Sequence, residues 1–300
     1  WVTVKNRNMP ITRRAILRLT AAGYTALVLD GARAWAAASP SASTFVSKRI
    51  EVSVRGVRAP EGRDVLLIPG LASGPAIWSS LASRLPGHRL HIVHVAGFAG
   101  KPAGSNASGP LLAPLAAELA RYIRERRLSA PAIIGHSMGG TLAMMVGLRS
   151  DVHPGRLMVV DMLPDGAGMV GGTSSGLGYF ATQLNGYFTG TKAGRQLLAQ
   201  MVRETPAARD SDPTVIAQAL TELAQTDLTA RIHDIPCPLT VIHAVASDPN
   251  AARTQAQQYR SAYGKARSLT LKGIGPSGHM VMRDQPEKFA EAARAFLTRS

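Results

Sequence analysis

Three side-chain types in this sequence could together cleave an acyl bond: a serine, a histidine and a carboxylate. The serine is Ser137, in Ile133-Ile134-Gly135-His136-Ser137-Met138-Gly139-Gly140. Glycines two residues before and two after it are what a very tight turn demands, because a Cβ at either place would collide with the chain. The apolar, β-prone run 132–134 enters this turn and the helix-prone run 141–145 leaves it. A serine on such a strand-to-helix turn has its hydroxyl pushed out of the sheet by a strained backbone. A hydroxyl is a poor nucleophile until a base takes its proton, and the base needs a carboxylate to orient it.

His279 is the expected base. It lies in Gly275-Pro276-Ser277-Gly278-His279-Met280, after the last expected strand and before the final helix, where a Gly-rich loop lets an imidazole reach across the sheet edge. His91, His94 and His243 fall within expected strands, and His88, His153 and His233 at turns. His136 adjoins the nucleophile and cannot fold back onto it. Asp248, just past the strand Leu239-Thr240-Val241-Ile242-His243, is the first choice for the acid. Asp161, at the end of the Val159-Val160 strand, is the alternative. Asp284, followed by Pro286 and Glu287, reads as a cap for the final helix. The developing oxyanion needs two backbone N–H groups. Met138, after the nucleophile, supplies one; Leu71, after Ile68-Pro69-Gly70, supplies the other, with Gly70 allowing the bend.

These residues need a sheet whose strands end at one edge. Residues 49–57 alternate, with Ile50, Val52 and Val54 on one face. Residues 64–68, 156–163 and 238–243 are continuous apolar runs, the mark of strands buried on both sides. Further strands are expected at 89–95 and 267–271, and helices at 76–85, 111–126, 251–263 and 286–297. Strands alternating with helices imply a mostly parallel sheet covered on both faces. Residues 162–238 break the rhythm. They are too long for a connection and too short for a separate domain, and are read as a helical cap inserted into a domain spanning 39–300. Gly166-Ala167-Gly168-Met169-Val170-Gly171 has dinucleotide-site spacing, but no acid follows it between 166 and 203, so it reads as a cap hinge.

Residues 1–38 read as an export leader. Thr12-Arg13-Arg14-Ala15-Ile16-Leu17-Arg18 resembles a twin-arginine signal, an apolar stretch of 11 residues (19–29) follows, and Ala34-Trp35-Ala36 or Ala36-Ala37-Ala38 would be the cleavage site. A membrane span needs about 20 residues, so no integral membrane segment is expected in the mature chain. A working leader implies export machinery as a partner and a periplasmic or secreted protein; otherwise the chain would be cytoplasmic. The net charge is +15, and removing the first 36 residues leaves 28 basic against 18 acidic side chains. No basic run carries interleaved aromatics, so nucleic acid is not an expected partner. The single cysteine, Cys237, lies between two prolines before an apolar run and reads as a buried structural thiol.

The elbow, Leu67-Ile68-Pro69-Gly70, the Pro236-x-Pro-Leu-Thr-Val-Ile strand with Asp248, and Gly278-His279 followed by Asp284-Gln285-Pro286-Glu287-Lys288-Phe289 resemble the α/β-hydrolase superfamily, in its small, capped esterase-like members. The resemblance covers residues 50–298. It implies the α/β-hydrolase fold and the chain order Ser, Asp, His. Relatives carry Gly-x-x-Asp at the acid, whereas this chain has Ala244-Val245-Ala246-Ser247-Asp248; they also often carry His where Pro69 stands. The resemblance implies a serine hydrolase acting on a small-molecule carboxylic ester, lactone or thioester through an acyl-enzyme, with no cofactor and no metal. Carbon–carbon bond hydrolysis and cofactor-free perhydrolysis are alternatives on the same fold, and a non-catalytic ligand receptor is a further one. The cap would line the acyl pocket with Met169, Tyr179, Phe180, Leu184 and Phe188.

Overall fold

A computed structural model describes residues 45–166 and 208–298. The expected leader, most of the 162–238 insertion, and with it all five expected pocket residues (Met169, Tyr179, Phe180, Leu184 and Phe188), lie outside the described residues.

The apolar runs form strands. β1 (Ile50–Arg55), β2 (Asp64–Ile68), β3 (Arg89–Val95), β4 (Ala132–His136), β5 (Arg156–Val160), β6 (Leu239–Ala244) and β7 (Leu269–Ile274) make one sheet in the order β1-β3-β2-β4-β5-β6-β7. β1 is antiparallel to β3, and the other neighbours are parallel. Every residue of β2, β4 and β5 is buried. Leu66 and Ile68 enter one core and Val65 and Leu67 the other, the two-sided burial that produces an unbroken apolar run. β1 alternates as expected only at its start. Ile50 is buried, but Val54 is 47% exposed because β1 is an edge strand.

The helices are α1 (Ser79–Ala82), which continues a 3-10 turn (Pro75–Trp78), α2 (Leu112–Glu125), α3 (Met138–Gly147), α4 (Pro213–Gln225), α5 (Pro249–Ala262), α6 (Val281–Asp284) and α7 (Pro286–Thr298). Apolar residues of α2, α3 and α4, together with Tyr259 and Tyr263, fill one core. Those of α1, α6 and α7 fill the other, where Trp78 stacks on Phe289. None of these helices is long and apolar enough to cross a membrane.

Within the expected cap segment, residues 164–166 and 226–228 lie side by side as a neck. Asp165 and Asp227 form a β-bridge, the Gly166 N–H donates to Thr226 O and the Leu228 N–H to Pro164 O. A Cβ on Gly166 would stand 1.9 Å from Leu223 O, so this glycine serves a close backbone approach at the neck. α4 leads into the 226–228 side of this neck and is capped at its start by the Asp212 carboxylate on Thr214 N–H and Val215 N–H. From α4, Glu222 reaches α2 and accepts from the Leu111 and Leu112 N–H groups, both at 2.7 Å.

Candidate active site

The parallel register brings the chemistry to one edge. Ile68 pairs with Gly135, and His136 with Val160. Gly70, Ser137 and Asp161 therefore follow at the same level past the ends of β2, β4 and β5. Adjacent strands are roughly 4.8 Å apart.

Ser137 has φ 54 and ψ −123, a left-handed conformation costly for any residue with a side chain. Its N–H is tied to Val160 O at 2.9 Å, and its carbonyl accepts from Gly140 and Thr141 N–H, opening α3. The flanking glycines do what the spacing requires. A Cβ on Gly135 would lie 2.0 Å from Gly139 O, and one on Gly139 would lie 2.3 Å from Ile68 O. A Cβ on Gly140 would press on Val159, so this glycine lets α3 lie close on β5. Ser137 is half-buried among buried neighbours.

The loop carrying His279 is closely tied. The Ser277 N–H donates to Val245 O and its hydroxyl to Ile274 O. The Asp284 carboxylate accepts from Gly278 N–H at 2.8 Å, so the side chain read as a helix cap closes this loop instead. Gln285 and Lys288 hold the Pro276 and Gly275 carbonyls. At the tip, His279 Nδ1 is 2.7 Å from Asp161 Oδ2. With the Nδ1 proton shared with Asp161, Nε2 is left with a lone pair.

The carboxylate that meets His279 is thus Asp161, the alternative, and not Asp248, the first choice. Asp248 is exposed and is the N-cap of α5, its carboxylate accepting from Ala251 N–H at 2.8 Å. It sits four residues beyond the end of β6, one strand further from β4 than Asp161. Asp161 is itself left-handed, with φ 48, and its N–H is fixed to Ile242 O. Oδ1 accepts from the Ala244 N–H at 2.9 Å and from the Tyr259 hydroxyl at 3.0 Å. Burial would raise its pKa, but the His279 hydrogen bond and charge, with those two donors, outweigh it and hold the carboxyl below the usual range.

His136 carries a role that its sequence position conceals. Its ring lies 4.7 Å from that of His279, and Nε2 is 2.9 Å from His279 O, which makes Nε2 the protonated nitrogen. Burial, and then the charge of His279, lower its pKa to about 3. It stays neutral beside the His279 ring and anchors the His279 backbone. Three further histidines are engaged elsewhere. His91 bridges Asp64 and Tyr122, His94 holds Phe98 O, and His243 stacks on Tyr259.

Of the expected oxyanion donors, Met138 follows Ser137 and Leu71 follows Gly70, which packs against Ser137. Met138 opens α3, and the first N–H groups of a helix have no intrahelical partner. Leu71 follows Gly70, where a Cβ would stand 2.8 Å from His136 Nδ1 and 3.1 Å from Ser137 Cβ. The next residue, Ala72, is also left-handed (φ 54), as is Ala99 (φ 46). Ser211, on the segment returning from the insertion, joins them: its hydroxyl accepts from Ala99 N–H at 2.9 Å and donates to Ala72 O at 3.4 Å. Cys237 is remote from this chemistry, and burial pushes its thiol up to about 11. Among the described residues no cluster of three or more His, Cys, Asp or Glu side chains could hold a metal ion.

Comparison with known proteins agrees with this fold. A sequence model of the Alpha/beta hydrolase family matches residues 65–292. A pimeloyl-[acyl-carrier protein] methyl ester esterase of Aliivibrio salmonicida is 26% identical over 195 residues, covering 60% of this chain and 72% of that protein. An esterase of Exiguobacterium antarcticum superposes with a TM-score of 0.63 at 18% identity, covering 83% of this chain and 96% of that one. The enol-lactonase of Burkholderia xenovorans gives 0.59 at 16% identity, covering 83% and 96%.

Proposed function

This chain belongs to the alpha/beta hydrolase family and is an enzyme of it, and from that premise we propose that it is a serine hydrolase of carboxylic esters working through Ser137, His279 and Asp161. The observation that carries the reading is the 2.7 Å contact of His279 Nδ1 with Asp161 Oδ2, one strand from a serine held at φ 54.

The chemistry follows from the geometry. His279 Nε2 takes the Ser137 hydroxyl proton as Oγ attacks the acyl carbonyl. Negative charge builds on the carbonyl oxygen, where the Met138 and Leu71 N–H groups receive it. Each such donor is worth about 2.7–4 kcal/mol of transition-state stabilisation. Asp161 stabilises the imidazolium and fixes its tautomer. His279 then protonates the leaving alcohol, and water, activated by the same imidazole, releases the acid from the acyl-enzyme. A neutral His136 adds no competing positive charge beside the imidazolium.

An ester is favoured over other acyl bonds because the relative aligned over 195 residues is a methyl ester esterase; lactones and thioesters share the same carbonyl chemistry. The twin-arginine-like segment 12–18 with its apolar run supports export. The test is a fluorophosphonate probe together with p-nitrophenyl esters of rising chain length. Labelling and turnover present in the wild type and absent in Ser137→Ala support the reading. Labelling that persists in Ser137→Ala, or none in the wild type, overturns it.

A further inference from the structure

Asp161 is held from behind as firmly as it holds His279 in front. A carboxylate can rotate and offer either oxygen, and here two donors occupy Oδ1: the Ala244 N–H at 2.9 Å and the Tyr259 hydroxyl at 3.0 Å. Only Oδ2 is turned to His279. The Ala244 amide is part of the sheet, whereas Tyr259 is brought in by α5, a helix that buries little besides Gln255 and Tyr259. One turn on, Tyr263 donates its hydroxyl to Met162 O at 2.6 Å. Two phenols at i and i+4 thus grip two consecutive residues of the corner that follows β5. The Tyr259 ring has its own support, stacked on His243 at 4.9 Å and parallel to Tyr263 at 6.4 Å. Burial first, then the Asp161 charge, hold the Tyr259 phenol protonated, so it acts as a donor.

We propose that Tyr259 is a positioning residue: its hydroxyl locks the rotation of the Asp161 carboxylate so that Oδ2 alone faces His279 Nδ1, which sets the imidazole for the chemistry at Ser137. The inference rests on the reading of Ser137, His279 and Asp161 as the reacting set. A merely structural phenol would also seek a buried partner, but it would not be coupled to the function of Asp161.

Tyr259→Phe removes the hydroxyl and keeps the stacked ring. The rate of Ser137 labelling by a fluorophosphonate, and kcat on p-nitrophenyl acetate, should fall roughly tenfold, the loss expected for a hydrogen bond to a charged group, with KM unchanged. The downfield proton NMR signal of His279 Nδ1–H should shift. In an Asp161→Asn background the same substitution should cost nothing further. Tyr263→Phe, from the same helix, is the control and should change the rate equally in both backgrounds. An unchanged labelling rate in Tyr259→Phe, an equal loss with and without Asp161, or a Tyr259→Phe chain that unfolds at assay temperature overturns the proposal and leaves the serine reading intact. A wild type that never labels overturns the serine reading and this inference with it.

Discussion

Asp161 and Ser137 occupy equivalent places on neighbouring strands, each the first residue past the pair His136 and Val160, and each left-handed, at φ 48 and φ 54. The two strands are linked across this point by the Ser137 N–H to Val160 O hydrogen bond. In the proposed triad, Asp161 and Ser137 are therefore fixed by one stretch of ladder in the sheet interior, and only His279 arrives on a loop.

Exchange of the two carboxylates for amides tests this placement. Asp161→Asn leaves His279 Nδ1 without its anionic partner and should lower kcat by about 10⁴-fold, as tautomer loss does in serine triads. Asp248→Asn keeps a good cap on an exposed helix start and should leave kcat within about twofold. Steady-state rates on one p-nitrophenyl ester check both. A severe loss in Asp248→Asn with a mild one in Asp161→Asn would return the acid to Asp248.

The oxyanion side is tested at Gly70. A methyl group there has no room, since His136 Nδ1 would be 2.8 Å away and Ser137 Cβ 3.1 Å. His136 is pinned to His279 O and Ser137 is pinned by its own backbone, so the loop bearing Leu71 must move. Gly70→Ala should reduce kcat by about 10²-fold, the usual cost of one misplaced oxyanion donor, with a small change in melting temperature. Parallel kinetics and thermal melts separate this outcome from a folding defect.

Much of this site was legible before the fold. The Gly135/Gly139 spacing fixes the elbow because backbone atoms fill the space of a Cβ at both positions. The continuous apolar runs 64–68, 156–163 and 238–243 become β2, β5 and β6 because both faces of the sheet are covered there. The acid was not decided by pattern. Asp161 and Asp248 both follow buried strands, and the choice between them depends on register and on a contact between two residues 118 positions apart in the chain, Asp161 and His279. A local signal did exist. Asp248 precedes Pro249, the Asp-then-Pro start of a helix, and as a cap its carboxylate is already engaged. Tyr259 and Tyr263, four apart at the end of α5, pack into the core, and nothing in the sequence tells that they meet Asp161 and Met162.

The Glu222 carboxylate joins α4 to the start of α2, and its removal should register in stability. Glu222 is the side chain that satisfies Leu111 and Leu112 N–H at the start of α2, with both residues at most 2% exposed. Glu222→Ala leaves two buried donors unpaired and should cost about 2 kcal/mol, in line with charge-assisted hydrogen bonds. Urea denaturation should show a lower midpoint with an unchanged slope. A midpoint equal to that of the wild type would mean that water replaces the carboxylate at no cost.

Stability should also record the neutrality of His136. Its pKa is about 3 in the fold, against about 6.5 unfolded, because burial first and the His279 charge second penalise the cation. The unfolded chain therefore takes up a proton that the folded chain refuses. This term is absent above pH 6.5 and destabilises progressively as pH falls from 6.5 toward 3. Its slope approaches about 1.4 kcal/mol per pH unit. Asp64 and Asp161 are held below their usual values by His91 and Arg89 and by His279, both against the opposing effect of burial. They add a second loss below about pH 4, when the unfolded carboxylates protonate first. His136→Gln, which can still donate to His279 O and carries no titratable ring, should flatten the curve between pH 6.5 and 4.5 while keeping the steeper fall below it. Urea midpoints measured every half unit from pH 8 to 3 resolve the two regions. Parallel curves for wild type and His136→Gln would show that the ring takes its proton in the folded state as readily as in water.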